Sequence, residues 1–541
     1  MDFSMHIRKI FGFLAVLFIA GCAQSTKTDW YAEYGTMDTG TPTNMLYGTL
    51  DTTVGAPSDN FIGAPTHRMA VMLPLTGDNA QTGRAIQTSI EMAVLENAPQ
   101  NLSVAFYDTA NNINDSIDAV ISDNPEIVIG PIFAADARTM RDSKPESMPV
   151  LSFTSDATAL GDGVMTMALM PTNSTEAIVK QMASDGITGM IMLAPDTTSG
   201  HLMAGTAQYA AKIYDIPVTG IFFYAEKNSE SIKTATAAAS MNTARVAANT
   251  RAREILSDIL TQERLTAIEK SSLTLQLEKL SKTDTLGKLP YDAVLFLGDG
   301  DDTETLASFL RYYGVSARDA RFYGTALWDG SDITRDITMI GAKYAALPET
   351  SPEFANLYNN MSGEFPNRLA GFGYDAANMA IGMIYSQKSD AAYLLDPSGY
   401  VGVDGLFRLK PTGENERALR IVQLTGDGSV KTLRNAPTDF ITPVYNIEQR
   451  KISPADEMEL ETPGINPNEY INIPPRLHDK YKSDTYGAHI TIAPTPMQQS
   501  EPILILPEDD RDLVITTPDF QPVNLETINR TYIDSIEITE Y

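Results

Sequence analysis

The sequence predicts an α/β protein of two doubly wound, parallel-sheet lobes with a helical insertion and an extended C-terminal tail. Three observations predict it. Short apolar strands alternate with amphipathic helices from His67 to Phe153. The alternation restarts at Ser174, and a strand-free stretch over 229–284 interrupts it before strands resume at Ala293. Such alternation builds βαβ units, whose parallel strands are buried on both faces and read as nearly continuous apolar runs.

The chain opens with a different texture. Met1 to Lys9 carries Arg8 and Lys9, and Ile10 to Ala20 is an apolar, Gly-containing run before Gly21-Cys22. A run of roughly eleven residues is too short to span a bilayer, which needs ~20, but it suits the core of a secretory leader. Ile19-Ala20-Gly21-Cys22 resembles the bacterial lipobox, where small residues let a peptidase cut before a lipid-modified Cys. The resemblance implies a signal peptide over 1–21 and an anchor in membrane lipid at Cys22, the only cysteine of 541 residues. Each buried CH₂ adds ~0.8 kcal/mol, so several acyl chains tether a protein without a transmembrane helix. In lipobox families Asp after the Cys often marks inner-membrane retention; Ala23 resembles the outer-membrane class, facing the periplasm. A cysteine consumed by lipid leaves none for a disulfide.

Residues 22–65 are rich in Thr, Gly, Asp and Pro without periodicity, and read as a flexible linker. Lobe 1 begins at 66. Arg68 to Leu75 is a strand, Thr82 to Glu96 a helix, and Leu102 to Tyr107 a strand. Ile113 to Ile121 (helix), Glu126 to Ile129 (strand), Asp136 to Arg141 (helix) and Val150 to Phe153 (strand) complete its first part, to 157. Lobe 2 runs over 158–345. It holds helices Ser174 to Ser184 and His201 to Tyr214, strands Gly189 to Leu193 and Val218 to Phe223, and the insertion 229–284. In the insertion Ile255, Ile259, Ile268, Leu273, Leu277 and Leu280 recur three to five apart, the signature of one or two long helices. Strand Ala293 to Leu297, helix Glu304 to Tyr313 and strand Arg321 to Gly324 follow. Helices Pro352 to Glu364 and Tyr374 to Tyr385 mark a return to lobe 1 over 346–390. Over 391–436, Gly405 to Leu409 and Ala418 to Leu424 are expected to close the body as an antiparallel pair. The tail, 437–541, holds thirteen of the 31 prolines among acidic and Tyr residues. That composition buries too little apolar surface to offset ordering entropy, so an extended or disordered tail is expected. The runs at 503–506 and 513–515 are its only strand candidates.

Charge narrows the function. A net charge of −29 and a pI near 4.5 exclude nucleic acid as a natural partner, since binding there rests on neutralising phosphates. A hydrophobic fraction of 43% is enough for real cores. Enzyme signatures are absent: there is no G-x-S-x-G elbow, Walker loop or H-E-x-x-H, and the histidines at 6, 67, 201, 478 and 489 are scattered. No enzyme, cofactor or metal is expected.

Several segments, in order, resemble the type I periplasmic-binding fold of branched-chain amino-acid receptors. They are Met72-Leu73-Pro74-Leu75-Thr76-Gly77 with Gly83, Ile129-Gly130-Pro131, Val150-Leu151-Ser152-Phe153, Tyr291-Asp292-Ala293-Val294-Leu295, Gly373-Tyr374-Asp375-Ala376-Ala377 and Gly405-Leu406-Phe407-Arg408-Leu409. The likeness covers roughly residues 66 to 432. It implies two lobes joined by three crossovers, with a ligand cleft outside the carboxyl ends of the strands. Among relatives, an anchored acidic lipoprotein with an added helical segment looks most like the penicillin-binding-protein activators, whose partners are bifunctional peptidoglycan synthases. The alternative is a solute receptor of an ABC transporter, binding a small amino-acid-like molecule.

The resemblance places candidate cleft residues at Thr76, Gly77, Asp108, Pro131, Ala135, Asp136, Ser152, Thr154 and Asp156 in lobe 1. Asp196, His201, Asp299, Trp328 and Tyr374 complete the set, with Tyr374 expected at the rim. Amino-acid receptors use a hydroxyl just after the Gly-Pro turn, where this chain has Ala134 and Ala135. Asp136 and Asp156 nearby would repel a carboxylate. Losing a hydroxyl that pairs with a buried charge costs ~1.5–3 kcal/mol, so the cleft departs from the amino-acid pattern.

Three further motifs read as structure. Leu73-Pro74-Leu75-Thr76-Gly77 matches a sortase signal in letters but ends a strand far from the C-terminus. Gly371-Phe372-Gly373-Tyr374-Asp375-Ala376 fits G-x-G-x-x-A but has no strand before it. Asp299-Gly300-Asp301-Asp302-Thr303-Glu304 lacks the later positions of a calcium loop; Asp301 with Glu304 reads as a capping box. Arg245, Arg251, Arg253 and Arg264 make part of the insertion basic within an acidic chain, a surface suited to a protein partner.

The anchor is directly testable. Cys22→Ser is expected to leave the chain unprocessed or soluble on membrane fractionation. Retention in the outer-membrane pellet after a high-salt wash would refute lipid attachment at this residue.

Overall fold

The computed structural model describes residues 44–45, 66–99, 101–440, 458–461, 464–487 and 489–492. The expected leader, Cys22 and the runs at 503–506 and 513–515 lie outside the described residues. Within the expected linker, Asn44–Met45 (β1) pairs in parallel with Tyr400–Val401.

Lobe 1 is built from β2 (His67–Leu73), α1 (Ala80–Asn97), β3 (Leu102–Asp108), α2 (Ile113–Asp123), β4 (Ile127–Ile129), α3 (Ala134–Ser143), β5 (Val150–Ser152) and β6 (Val164–Thr166). The strands form one parallel sheet in the order β3-β2-β4-β5-β6. Five consecutive residues of β2, Met69 to Leu73, are fully covered, as a central parallel strand requires. β6 was not among the expected strands, and it moves the first crossing between lobes from 157 to 167–170.

Lobe 2 repeats the plan. α4 (Pro171–Ser184), β7 (Met190–Pro195), α5 (Thr198–Ile213), β8 (Val218–Tyr224), α6 (Ser229–Ala239), α7 (Asn242–Gln262), α8 (Ala267–Ser281), β9 (Ala293–Phe296), α9 (Gly300–Tyr312), β10 (Arg321–Gly324) and β11 (Lys343–Ala346) follow one another. One device starts the first helix after the first strand in both lobes. A Cβ on Gly83 would lie 2.0 Å from the Pro74 carbonyl oxygen, and one on Gly200 2.0 Å from that of Pro195. Only glycine lets the helix begin so close to the strand end.

The chain returns to lobe 1 as α10 (Pro352–Ser362), α11 (Arg368–Tyr385) and α12 (Asp390–Leu394), then forms β12 (Tyr400–Gly402), β13 (Gly405–Leu409) and β14 (Asn415–Arg417). It ends in β15 (Arg420–Leu424) and β16 (Val430–Arg434), which extend the lobe 2 sheet to β16-β15-β11-β10-β9-β7-β8. The expected antiparallel pairing of 405–409 with 418–424 is therefore replaced. β13 pairs with β12 and β14, while β15 pairs antiparallel with β11, a strand sequence reading passed over. Three segments cross between lobes, at 167–170, 347–351 and 418–419. One apolar core runs continuously from the α1/α11 face of lobe 1, through Ile86, Ile90 and Met379, to the α4/α5 face of lobe 2, through Ile178, Met203 and Ala207. This is the bilobed type I periplasmic-binding architecture.

Local signals set the boundaries. Asn367 caps α11 through the Ala370 N–H at 2.9 Å, so that helix starts six residues before Tyr374. Asp299, rather than Asp301, caps α9, accepting from Asp302 N at 2.9 Å. The insertion is three helices, and the first, α6, packs on the lobe 2 sheet through Ile232, Ala235 and Ala239. Thr266 and Glu269 form a capping box that opens α8.

The tail departs most from expectation. Its described residues hold no long helix, yet 464–487 are packed along the insertion. Ile471, Ile473, Leu477 and Tyr481 bury against Ala252, Ile255, Leu256 and Ile259 of α7 and Leu273 and Leu280 of α8. Ile465 covers Met241, Ala244 and Ala248. Gln276 clips the strap by accepting from Asn472 N at 2.7 Å, and Arg476 pairs with Glu269 at 3.0 Å. β17 (Met458–Glu461) and β18 (His489–Ile492) pair antiparallel at its two ends. Composition averages over a segment whose few apolar residues are all used. Ile268, by contrast, is 83% exposed although it shares the apolar period.

The strap makes the insertion and the tail one stability unit. Leu477→Ala is expected to destabilise it by about 2–4 kcal/mol through transfer and cavity terms. Truncation at 436 is expected to lower the melting temperature further, since α7 and α8 lose their cover; differential scanning calorimetry of the three proteins checks both.

Candidate functional site

In this fold a cleft is expected outside the carboxyl ends of the two parallel sheets. At the crossovers between the lobes lies a charged knot missed by sequence reasoning. Arg368, the first residue of α11, donates to Asp329 of lobe 2 at 3.0 Å and to Asp404 beyond β12 at 2.6 Å. It also donates to the Pro348 carbonyl and the Thr350 hydroxyl, both at 2.9 Å, in the second crossover. Arg417 reaches the Met167 carbonyl of the first crossover and stands over Phe372 and Phe407, 4.3 and 4.7 Å from their ring centres. Asn415 donates to Thr166 and Ala168 carbonyls at 3.0 and 2.6 Å. Side chains from lobe 1 and from β14 thus hold all three crossovers or their flanks.

Asp375 sits at the centre of this knot, fully buried. One of its oxygens accepts from Val403 N at 2.9 Å, and Gly402 approaches so closely that a Cβ there would meet its carboxylate at 2.1 Å. Burial pushes its carboxyl up to about 8, against the opposing pull of the Val403 N–H and Arg417. The glycines of the G-x-G-x-x-A match serve the same packing. Gly371 faces Asp404, and Gly373 faces Ile86 and Ser89 on α1. A helix interior offers no phosphate loop, which removes the dinucleotide reading.

The predicted cleft residues of lobe 1 are present at strand ends, but most are engaged within the chain. Thr76 donates to Asp108 at 2.5 Å, and Asp108 also accepts from Leu75 N and Ala110 N at 2.8 and 3.0 Å, next to Gly77 at φ +71°. Burial works to raise the Asp108 carboxyl, but the Thr76 hydroxyl and these N–H groups outweigh it and hold it below the usual carboxylate range. Pro131 follows a cis bond, and its carbonyl accepts from the fully buried Ser152 hydroxyl at 2.8 Å. Thr154, 4% exposed, accepts from Asp156 N at 3.1 Å. Ser152 and Thr154 therefore shape the turn rather than face the cleft. Ala135 is exposed in the first turn of α3, beside a half-buried Asp136 whose carboxyl burial raises.

Three expectations are corrected here. Asp156 does not stand as an uncompensated negative charge: it caps the turn at Thr158 and is paired with Arg138 at 2.9 Å. Trp328 is in the core of lobe 2, fully buried, its indole N–H on Thr303 at 3.2 Å and its ring between Phe296 and Tyr344. Tyr374 is 6% exposed against Phe354, and its hydroxyl donates to Glu96 at 2.7 Å, near the end of α1 remote from the cleft. Helical periodicity alone could have placed Tyr374 inside, because Ala370, Ala377 and Ile381 share its face. On the lobe 2 side, His201 bonds Asp196 at 2.8 Å and stacks on Phe223 at 4.0 Å, while Asp299 is spent as the α9 cap. Among the described residues no group of three His, Cys, Asp or Glu is placed to hold a metal ion.

Comparisons with known proteins give one family match and several distant structural likenesses. Residues 59–208 match the model of the family described as "LppC putative lipoprotein". No curated protein matches the chain. A solved structure described as a putative branched-chain amino acid ABC transporter from Rhodospirillum rubrum is similar at 16% identity, covering 68% of this chain and 99% of that one, with a TM-score of 0.49. The C-domain of LpoA from Haemophilus influenzae, a regulator of PBP1A, is similar at 15% identity over 68% and 99%, with a TM-score of 0.45. A leucine-binding protein from Thermotoga maritima is similar at 13% over 68% and 97%, TM-score 0.43. Receptors and a regulator stand side by side at equal similarity, so these likenesses choose no function.

The buried acid gives the hinge a pH signature. Asp375 titrates higher in the folded chain than in the unfolded one, so the folded state keeps a proton that the unfolded chain releases. Stability is then lost as pH rises from about 4 through about 8. Asp375→Asn keeps the bond to Val403 N and is expected to gain several degrees on the parent between pH 5 and pH 8; melting curves across that range check it.

Proposed function

We propose that this chain is a lipid-anchored envelope lipoprotein whose bilobed body activates bifunctional peptidoglycan synthases by protein contact, and is not an enzyme. One observation carries the reading. Most of the hydroxyls and carboxylates expected at the cleft in lobe 1 are already bonded to the chain itself, Thr76 to Asp108, Ser152 to Pro131 within its turn, and Asp156 to Arg138 and Thr158, with half-buried Asp136 the exception. An amino-acid receptor needs such groups for the ligand's charged ends, because a buried ionic group left unpaired costs several kcal/mol. The Arg368 knot adds to this, since a receptor that closes on its ligand must move lobes that Arg368 ties to both Asp329 and Asp404.

The leader-like segment, the Cys22 motif and the family match over 59–208 support the anchored location. Ala23 supports the outer membrane. Because Asn44–Met45 pairs with β12, the free tether after Cys22 is about twenty residues with an r.m.s. reach of ~25 Å, longer when stretched, which sets the body away from its own membrane and toward enzymes held in the opposite one.

The test is pull-down with solubilised synthases, then glycan polymerisation and crosslinking assays with and without the purified protein. Binding with a several-fold rise in either rate is expected, together with no melting shift in millimolar leucine, isoleucine or valine. A ligand at a hundredfold over its Kd adds ~2.7 kcal/mol, a shift easily seen. Such a shift, with no synthase bound, would overturn the proposal in favour of a solute receptor.

A further inference from the structure

Sheet edges in stable proteins are protected, because an open edge offers unpaired backbone groups to another chain. The two lobe sheets obey that rule at three of their four edges. β6 is only three residues long, β16 carries Lys431 and Arg434, and β8 has a register irregularity opposite Met190 and Ile191. β3 has none of these devices. It is seven residues, Leu-Ser-Val-Ala-Phe-Tyr-Asp, in unbroken register with β2 from His67↔Leu102 to Leu73↔Asp108, and every residue is half-buried. No charge, proline or bulge interrupts residues 102–107 in a chain whose net charge is −29. Beside it runs an apolar groove lined by Val104, Phe106, Glu91, Val94 and Leu95, where Leu95 is 78% exposed.

The backbone geometry tells which groups are open. Thr109 N donates to the Leu73 carbonyl at 2.9 Å, so the odd-numbered residues of β3 turn their backbone groups to β2. By alternation the even-numbered ones face outward. At the strand's ends some of these are used locally: Leu102 N donates to Pro99 at 3.1 Å, and the Asp108 carbonyl accepts from Ser116 at 2.7 Å. The N–H and C=O of Val104 and Phe106 remain pointing out of the sheet.

We propose that β3 is a self-pairing surface: a second copy of this chain adds its own β3 antiparallel, about a two-fold axis at Ala105. That axis sets Val104 opposite Phe106 of the second copy and Phe106 opposite its Val104. Each pair exchanges both backbone bonds, which uses the four outward groups of each strand. The side chains agree with the register. Val104 and Phe106 meet on the α1 face as β-branched–aromatic cross-strand pairs, a favoured combination. Leu95 of each copy stands over the seam, and Ala105 meets Ala105 on the axis with no bulk to separate the strands. Self-complementarity of this kind is what an isologous dimer requires. From 102 to 107 the strand itself carries no charge between two acidic copies, and Glu91 in the groove wall accepts from Gln87 at 2.8 Å.

Area fixes the strength. Seven residues at ~3.3 Å span about 23 Å, and a helix layer of ~10 Å on each side of the sheet gives roughly 460 Å² per copy. The total, about 900 Å², is below the ~1,200 Å² of permanent complexes, so the dimer is concentration-dependent.

Disulfide trapping in the full chain, solubilised in mild detergent, tests the proposal, because Cys22 is the only native cysteine. Ala105→Cys lies at a non-hydrogen-bonded antiparallel pair, within disulfide range of its own copy. Under mild oxidant it is expected to give a covalent dimer, while the parent and Ser103→Cys do not. Adding Phe106→Glu to Ala105→Cys is expected to cut that yield at least tenfold, with melting temperatures near the parent's. Sedimentation of the parent is expected to show monomer passing to dimer with concentration. The proposal is overturned by equal trapping at 103 and 105, by no trapping at 105, by crosslinks only to other proteins, or by a monomeric mass at ~100 μM.

Discussion

Burial of opposite charges at the hinge is the constraint on which this molecule turns. Two lobes joined by three short crossovers have no fixed angle unless something binds the crossovers to each other. Here Arg417, Arg368, Asn415, Asp375 and Asp404 do so from a nearly dry interior, in which Asp375, Asp404 and Asn415 are at most 1% exposed. Removing a charged partner such as Arg368 from this set leaves an uncompensated charge and costs more than the intact set contributes, whereas Asp375, whose carboxyl burial raises to about 8, tolerates replacement by its amide. The knot therefore makes lobe geometry cooperative: the angle is held as a whole or lost as a whole. The apolar core passing from α1 and α11 to α4 and α5 has the same effect by different means.

That rigidity bears on function. A receptor cleft exchanges its protein–protein bonds for ligand bonds as it closes, and needs polar groups held in readiness. Apart from Asp136, the groups expected at this cleft in lobe 1 have partners already, and Arg368 ties the lobes through Asp329 and Asp404. What it presents outward is shape: a helical arm with its strap, and a sheet edge. Shape fixed in advance suits a protein partner, because little is then lost to ordering on contact.

The strap shows how a segment of low apolar content is ordered. Ile465, Ile471, Ile473, Leu477 and Tyr481 are few, but each meets a groove already formed by α7 and α8. The groove supplies most of the buried surface, so the strap needs no core of its own. Its prolines help, since Pro467, Pro474 and Pro475 restrict the unfolded chain in a stretch that would otherwise lose much backbone freedom. Without the strap, two helices would expose a continuous apolar face to solvent.

By itself the sequence determined the class of fold and most elements within it. Strands such as Met69–Leu73 and Ala293–Phe296 announce themselves because parallel strands are apolar on both faces, and the helices of 80–97 and 198–213 because one face must be. Sequence did not place Trp328 or Tyr374, which went to the core instead of the cleft; large aromatics with one polar atom read alike in both settings, and only the presence of Thr303 or Glu96 within reach decides. Arg138 beside Asp156, and Arg368 between Asp329 and Asp404, are pairs separated by 18 to 39 positions. No local period encodes them. Strand β11, the strap and the pairing of 420–424 with 343–346 were likewise settled by tertiary structure. Each depends on a partner surface that only the folded chain assembles, and short segments take their conformation from the surface they cover.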